Sequence, residues 1–322
     1  MSSVSKIVKG VFNYQSAAVV NSLTSTGGIF LNRDMTGSDN EPVGLDPAPT
    51  EVSVHDGREL PLSLDKNGFV LVPHAYDHVN YLNEEEIVGR YYAEACRLVK
   101  EATGAEKVVA FDHNVRYSSQ HSWMNEGAEG VQQEQIQGGN MVQSPAQVVH
   151  NDYTLTSAPL RVQMLAEPAK VNDTWKPLVP PGSPLISPEE LAERMGKRYA
   201  LINVWRGISD HPVEDMPLAL CDGSTFKPED LITFEIRYSD RTGENYFAKH
   251  KPSHKWIYFP KMVKDEAILL KVWDSAAPLD GSSDGSSTSP TGFSFHSAFK
   301  DPSASPDCPR RESIEIRTAV FY

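Results

Sequence analysis

Apolar positions along this chain gather in short runs bounded by Gly, Pro and polar clusters, and seldom recur at helical spacing. NGFVLVPH (67–74) follows an Asn-Gly turn signal and reads as a strand. KVVAFDHNVR (107–116) has the apolar entry and polar exit of a buried strand, and VVHNDYT (148–154) has the β-branched entry of a strand end. YALINVWR (199–206), ITFEIRYS (232–239), WIYFP (256–260) and AILLKVWDS (267–275) predict further strands. Near the C-terminus an aromatic run ends at His296, and a run with two-residue alternation opens at Arg311.

Two stretches carry helix punctuation. Asn83 is placed to cap a helix whose first turn holds Glu84, Glu85 and Glu86, and Gly104 stops it. Ile87, Tyr91, Ala95, Leu98 and Val99 form its apolar stripe. In SPEELAERM, Ser187 and Glu190 make a capping box with Pro188 at the first helical position. The rest predicts loops. Residues 118–148 are rich in Gln, Gly and Ser, prolines punctuate 177–184, and 276–292 is a polar Gly/Ser segment. Residues 1–60, broken at Pro42, Gly44, Pro47 and Pro49, read as an irregular arm packing on the core. Many strands and few helices predict a mainly β fold with peripheral helices, a double-stranded β-helix (jelly roll, cupin-like) over residues 61–322.

Charge narrows the partners. The net charge of −13 gives no counterion-release gain on a phosphate backbone, so neither nucleic acid nor an anionic membrane is expected as a partner. Cys96, Cys221 and Cys308 lie far apart without metal spacing, which fits reduced thiols. The N-terminus shows no cleavage-like signature, and no run approaches the roughly 18 apolar residues of a membrane helix. A soluble, cytoplasmic protein is the expectation.

A non-haem Fe(II) site needs two imidazoles and a carboxylate on one side of the metal, leaving three positions open. His150-Asn151-Asp152 suits this, because residues i and i+2 of a strand point the same way. Alone the pair is weak, since ten histidines among 43 acidic residues produce one such match by accident. Arg-x-Ser is also weak alone, because it recurs at Arg116 and Arg237. Order strengthens both. In jelly-roll iron oxygenases the penultimate core strand brings the second histidine, and the last strand brings an arginine for the far carboxylate of 2-oxoglutarate. His296 and then Arg311 with Ser313 stand in that order. A guanidinium binds a carboxylate with two parallel hydrogen bonds and keeps its charge. Arg317 shares the strand face about 20 Å further along and is a reserve candidate. His150 and His296 are 146 residues apart, which requires a long insertion, about 166–260, between the ligand strands.

FDHNVR (111–116), VHNDYT (149–154), INVWRGI (202–208), PLALCD (217–222), YFPKMVKDEAILLKVWDS (258–275), FHSAFKDP (295–302) and PRRESIEIR (309–317) resemble the fungal AsaB-like hydroxylase/desaturase family, which is related to the CmcJ component of cephamycin methoxylation. The resemblance is collinear from about residue 65 to the end. It implies an Fe(II)/2-oxoglutarate-dependent, O2-consuming oxygenase of natural-product pathways. His150, Asp152 and His296 would be the iron ligands, Arg311 with Ser313 would hold 2-oxoglutarate, and the wide histidine gap becomes a family habit. The partners are then 2-oxoglutarate and a small-molecule substrate, with a homodimer expected from the N-terminal arm.

Trp205 and Arg206, at a strand exit, are candidates for the substrate wall, as are His113 and Arg116 after a buried strand. Lys271 to Asp274 is a candidate border of the cosubstrate channel, and Gln132 to Asn140 and 276–292 are candidate lids. The alternatives are a non-catalytic or methyltransferase-associated accessory subunit and a metal-free binding module. A methyltransferase would show a Gly-rich nucleotide loop between strand and helix, and the chain has none.

Overall fold

In the computed structural model residues 6–33, 41–76, 79–118, 134–239, 241–277 and 289–322 are described. In chain order the strands are β1 (Ile7–Gln15), β2 (Phe30–Asn32), β3 (Pro47–Asp56), β4 (Phe69–Pro73), β5 (Lys107–Tyr117), β6 (His150–Asn151) and β7 (Tyr199–Gly207). They continue with β8 (Leu218–Cys221), β9 (Leu231–Arg237), β10 (Thr242–Ala248), β11 (Trp256–Tyr258), β12 (Glu266–Asp274), β13 (His296–Ala298) and β14 (Glu312–Phe321). Nine form one sheet in the order β1-β3-β11-β8-β13-β6-β10-β9-β2, and five form a second, β4-β12-β7-β14-β5.

The sheets share a core. Leu218, Leu220 and Ile257 of the larger sheet belong to the same apolar cluster as Val204, Leu270 and Ile316 of the smaller one. Their sequence neighbours Ala219, Cys221, Trp256 and Tyr258 point to the opposite face, where Phe12, Phe293 and Phe299 cover them. This two-sheet, mainly β architecture is the jelly roll that the strand pattern predicts.

The long helix begins and ends as its sequence requires. Asn83 accepts a hydrogen bond from the Glu86 amide at 3.2 Å, and Gly104 closes the helix in the left-handed region at φ 67°. Its body is α1 (Glu84–Glu86), a π-helical turn (Ile87–Tyr91) and α2 (Tyr92–Thr103). The apolar pairs 87/88 and 91/92 recur every four residues, and the wider π turn keeps Ile87, Val88, Tyr91 and Tyr92 buried together. Two shorter helices follow, α3 (Ser157–Gln163) and α4 (Pro188–Met195), the latter capped by Ser187.

Two regions differ from expectation. Residues 1–60 are not an irregular arm throughout. β1 pairs antiparallel with β3 along its whole length, Ile7 opposite His55 to Gln15 opposite Pro47, and β3 runs parallel to β11 in the larger sheet. The prolines fall at strand ends and edge positions, where the ladder needs no N–H. Residues 166–260 likewise supply strands to both sheets. β7 lies between β12 and β14, while β8 and β10 flank the strands that carry the two histidines. β10 forms a hairpin with β9 and pairs on its other side with the distant β6, so its partners specify it and not its own weak alternation.

Candidate active site

Pairing of β6 with β13 sets His296 directly opposite His150. Their ring centroids are 4.3 Å apart, and Asp152 follows where β6 ends. His150 Nε2 lies 3.8 Å and His296 Nε2 3.9 Å from Asp152 Oδ1. One ligand atom from each of the three buried residues lies within 4.8 Å of the other two.

Hydrogen bonds behind the three side chains fix which atoms face the centre. His150 Nδ1 donates to the Val148 carbonyl at 2.8 Å and His296 Nδ1 to the Ser294 carbonyl at 3.4 Å. A carbonyl can only accept, so Nδ1 carries the proton and each Nε2 presents a lone pair inward. Asp152 Oδ2 accepts from Asn203 Nδ2 at 2.8 Å and from Arg317 Nε at 3.2 Å, which leaves Oδ1 facing the imidazoles.

The protonation states agree with this arrangement. Burial, reinforced by His296, lowers the His150 pKa to about 4, and burial lowers that of His296. Burial alone would raise the Asp152 carboxyl, but Arg317, His296 and His150 hold it well below the usual range. Two neutral imidazoles and one carboxylate, each with an inward donor atom, fit a divalent iron.

A cavity of about 20 Å³ adjoins this cluster, lined by His150, His296, Arg116, Trp205, Arg311 and Glu315 among others. Arg311 is buried, its guanidinium 5.4 Å from the Trp205 ring, with Nε donating to Ser313 Oγ at 3.1 Å and Nη1 to the Met216 carbonyl. Burial, with Arg116 nearby, lowers its pKa to about 9. Arg116 Nη1 donates to the Ser144 carbonyl at 2.7 Å.

Strand parity separates the remaining sequence candidates. Arg116 and Trp205 reach the cavity; His113 and Arg206, an odd number of residues away on the same strands, face the opposite side of the smaller sheet. His113 Nδ1 is 2.8 Å from the Tyr92 hydroxyl and Nε2 is 3.1 Å from Glu84, beneath the long helix. Arg206 lies 6.0 Å from the Tyr91 ring centroid and donates to the Lys264 carbonyl. His113 and Arg206, expected on the substrate wall, thus lie away from the cavity beside the His150, Asp152 and His296 cluster. It also engages Arg317 between Asp152 and Asp112, the latter at 2.7 Å, so the guanidinium proposed as a reserve cosubstrate ligand supports an iron-ligand candidate. Lys271 is buried in ion pairs with Asp274 and Asp65, away from the cavity wall.

Of the expected lids, residues 132–133 and 278–288 lie outside the described residues. The described part of the first, from Glu134, packs against the start of the long helix, where the Glu84 amide donates to the Gln137 carbonyl.

Sequence reasoning missed Asn203, Asp112 and Glu315. Asn203 is the polar interruption of an apolar strand, and Glu315 falls in the Ser313, Glu315, Arg317 alternation; both signals were present.

Known proteins resemble this chain over most of its length. Residues 25–180 and 184–321 match the family model described as "Oxidoreductase/YMDC permease-like domain". The hydroxylase/desaturase efuI of Hormonema carpetanum is 31% identical over 286 residues, covering 85% of this chain and 83% of that protein. The chain belongs to the hydroxylase/desaturase family. The Fe(II)/2-oxoglutarate-dependent dioxygenase nvfI of Aspergillus novofumigatus is 29% identical over 282 residues, 85% of this chain and 84% of that one. A solved structure of the iron and alpha-ketoglutarate-dependent endoperoxidase NvfI superposes with a TM-score of 0.69 at 24% identity, covering 98% of this chain and 97% of that chain. At that identity the likeness speaks for the fold. This member of the family is an oxidoreductase with Fe(II) and 2-oxoglutarate as cofactors and a small-molecule substrate. Among the described residues no helix is long and apolar enough to cross a membrane.

Proposed function

We propose that this hydroxylase/desaturase family member oxidises an unactivated C–H bond of a small natural-product intermediate, with His150, Asp152 and His296 holding Fe(II). The observation that carries the residue assignment is the inward convergence of two Nε2 lone pairs and one carboxylate oxygen, each oriented by a hydrogen bond on its far side. The iron, when bound, supplies oxygen activation coupled to oxidation of 2-oxoglutarate, and the protein supplies position and exclusion.

Arg311 receives the far carboxylate of 2-oxoglutarate, and Ser313, already hydrogen-bonded to its Nε, holds the guanidinium in plane. Trp205 walls the cavity beneath Arg311, and Arg116 adds a second positive charge for a dianionic cosubstrate. A cavity of about 20 Å³ is smaller than a five-carbon dicarboxylate, so these wall side chains give way on loading. Burial of the wall matters chemically, since a reactive oxidant must be kept from water.

The chain works in the cytoplasm on a diffusible small molecule, without nucleic acid as a partner. Two copies associate through the N-terminal region, where Ile7 and Val11 are more than half exposed on the sheet-edge strand β1.

The test is anaerobic addition of Fe(II) and then 2-oxoglutarate to the purified protein, followed by visible spectroscopy. A weak charge-transfer band is expected, lost in His150→Ala and weakened in Arg311→Ala. A wild-type protein that shows no band and binds no iron would point to the accessory-subunit reading instead.

A further inference from the structure

Asn203 stands in the middle of β7, whose nine residues are all buried. An amide there is unfavourable unless its polar atoms are used, because burial strips it of water without replacing the lost hydrogen bonds. Its Nδ2 donates to Asp152 Oδ2 at 2.8 Å and also to Glu315 Oε1. Two hydrogens meet two carboxyl groups, and its Oδ1 has no partner among the described residues.

The two carboxyl groups belong to different parts of the site. Asp152 lies in the metal-ligand cluster, whereas Glu315 lines the cavity beside Arg311 and Arg116. Asp152 Oδ2 has a second donor in Arg317 Nε, which is anchored in turn by Asp112. The two donors differ. Arg317 supplies charge, while Asn203 is neutral and can contribute only direction and the link to Glu315.

Resting on the ligand assignment above, we infer that Asn203 is a positioning residue: it reserves Asp152 Oδ2 so that Asp152 binds the metal through Oδ1 alone, and it ties that ligand to Glu315 in the cosubstrate cavity. One-oxygen ligation by the carboxylate, with two imidazoles, leaves three of six positions open for cosubstrate and oxygen. A carboxylate turned to bind through both oxygens would fill one of them. Partners of this kind behind metal ligands typically change metal affinity by 10–100-fold when removed.

The experiment uses Co(II) alone, in the absence of 2-oxoglutarate, followed by calorimetry and by the visible d–d bands that report coordination number. Wild-type protein should bind one Co(II). Asn203→Leu, close in volume, should bind it about 10–100-fold more weakly, with altered d–d bands. Glu315→Gln retains an acceptor for the bridge and should keep near-wild-type affinity and bands. His150→Ala should lose binding altogether. If His150→Ala binds Co(II) like wild type, the ligand assignment itself fails. If Asn203→Leu is folded by circular dichroism and binds with unchanged affinity and spectrum, the positioning role fails while the ligand assignment stands.

Should Asn203→Leu not fold, Asn203→Ser, which is smaller and cannot span both carboxyl groups, takes its place in the same titration, and the wild-type protein labelled with ¹³C at the aspartate carboxyl tests the one-oxygen ligation on which the role depends. The infrared difference between Co(II)-loaded and metal-free protein should show the wide asymmetric–symmetric carboxylate splitting of one-oxygen ligation. The narrow splitting of two-oxygen ligation would overturn the proposal.

Discussion

Arg206 and Arg311 are both buried arginines at the same end of the neighbouring strands β7 and β14, and their surroundings give them opposite roles. Arg311 faces the cavity with Ser313 on its Nε and Trp205 alongside, whereas Arg206 faces the long helix and satisfies the Lys264 carbonyl. Replacing Arg206 with Ala leaves a buried carbonyl without its donor, so a loss of about 1–3 kcal/mol in stability is expected with 2-oxoglutarate affinity unchanged. Urea denaturation together with cosubstrate titration checks both halves. Arg311→Lys retains a charge but not the planar fork, and its Kd for 2-oxoglutarate should rise about tenfold, the equivalent of one charge-assisted hydrogen bond. An unchanged Kd would shift the cosubstrate role to Arg116. The sequence singled out both arginines but assigned Arg206 with Trp205 to the same pocket, although consecutive strand residues point to opposite faces. Period two alone was enough to separate Trp205 from Arg206, and His113 from Arg116.

Elements whose specification is local were legible. Asn83, the acidic first turn and Gly104 bound the long helix as read, because caps act within a few residues of themselves. Asn83→Ala removes the acceptor for the Glu86 amide and should lower stability by about 0.5–2 kcal/mol, measured as a shift of the urea midpoint at constant slope. The π turn at Ile87–Tyr91 was not foreseen, because it follows from packing both apolar pairs against the sheet. Nor were β1, β3 and β10. Each is specified by a partner far along the chain, as when β1 meets β3 or β10 meets β6.

At the scale of the whole molecule, four buried histidines shape the response to acid. Burial lowers the pKa of His74 and of His150 to about 4, and it also lowers those of His254 and His296. In the unfolded chain these groups take up protons near pH 6.5, so between about 6.5 and 4 the unfolded state holds more of them. Their contribution to stability is therefore present in full above that window and is lost as pH falls through it. The metal-free protein should melt several degrees lower at pH 5 than at pH 7, by calorimetry. A melting temperature unchanged between those values would mean that these histidines are more accessible than the fold indicates. Carboxylates held low by cations, such as Asp152 by Arg317, lose their contribution only at more acid pH.

By itself the sequence determined the chemistry and its order: a His-x-Asp pair, a later strand histidine, and an arginine opening the last strand. It also determined the helix caps and the mainly β class, since these depend on residue type and near-neighbour spacing. Only the tertiary structure decided which face of each strand meets the metal cluster. It also decided that Arg317 answers two carboxylates, and that Asn203 bridges Asp152 to Glu315. Those pairings join residues 51 to 205 positions apart, and chain closure over such distances is settled by the packing of the two sheets together, not by any local run.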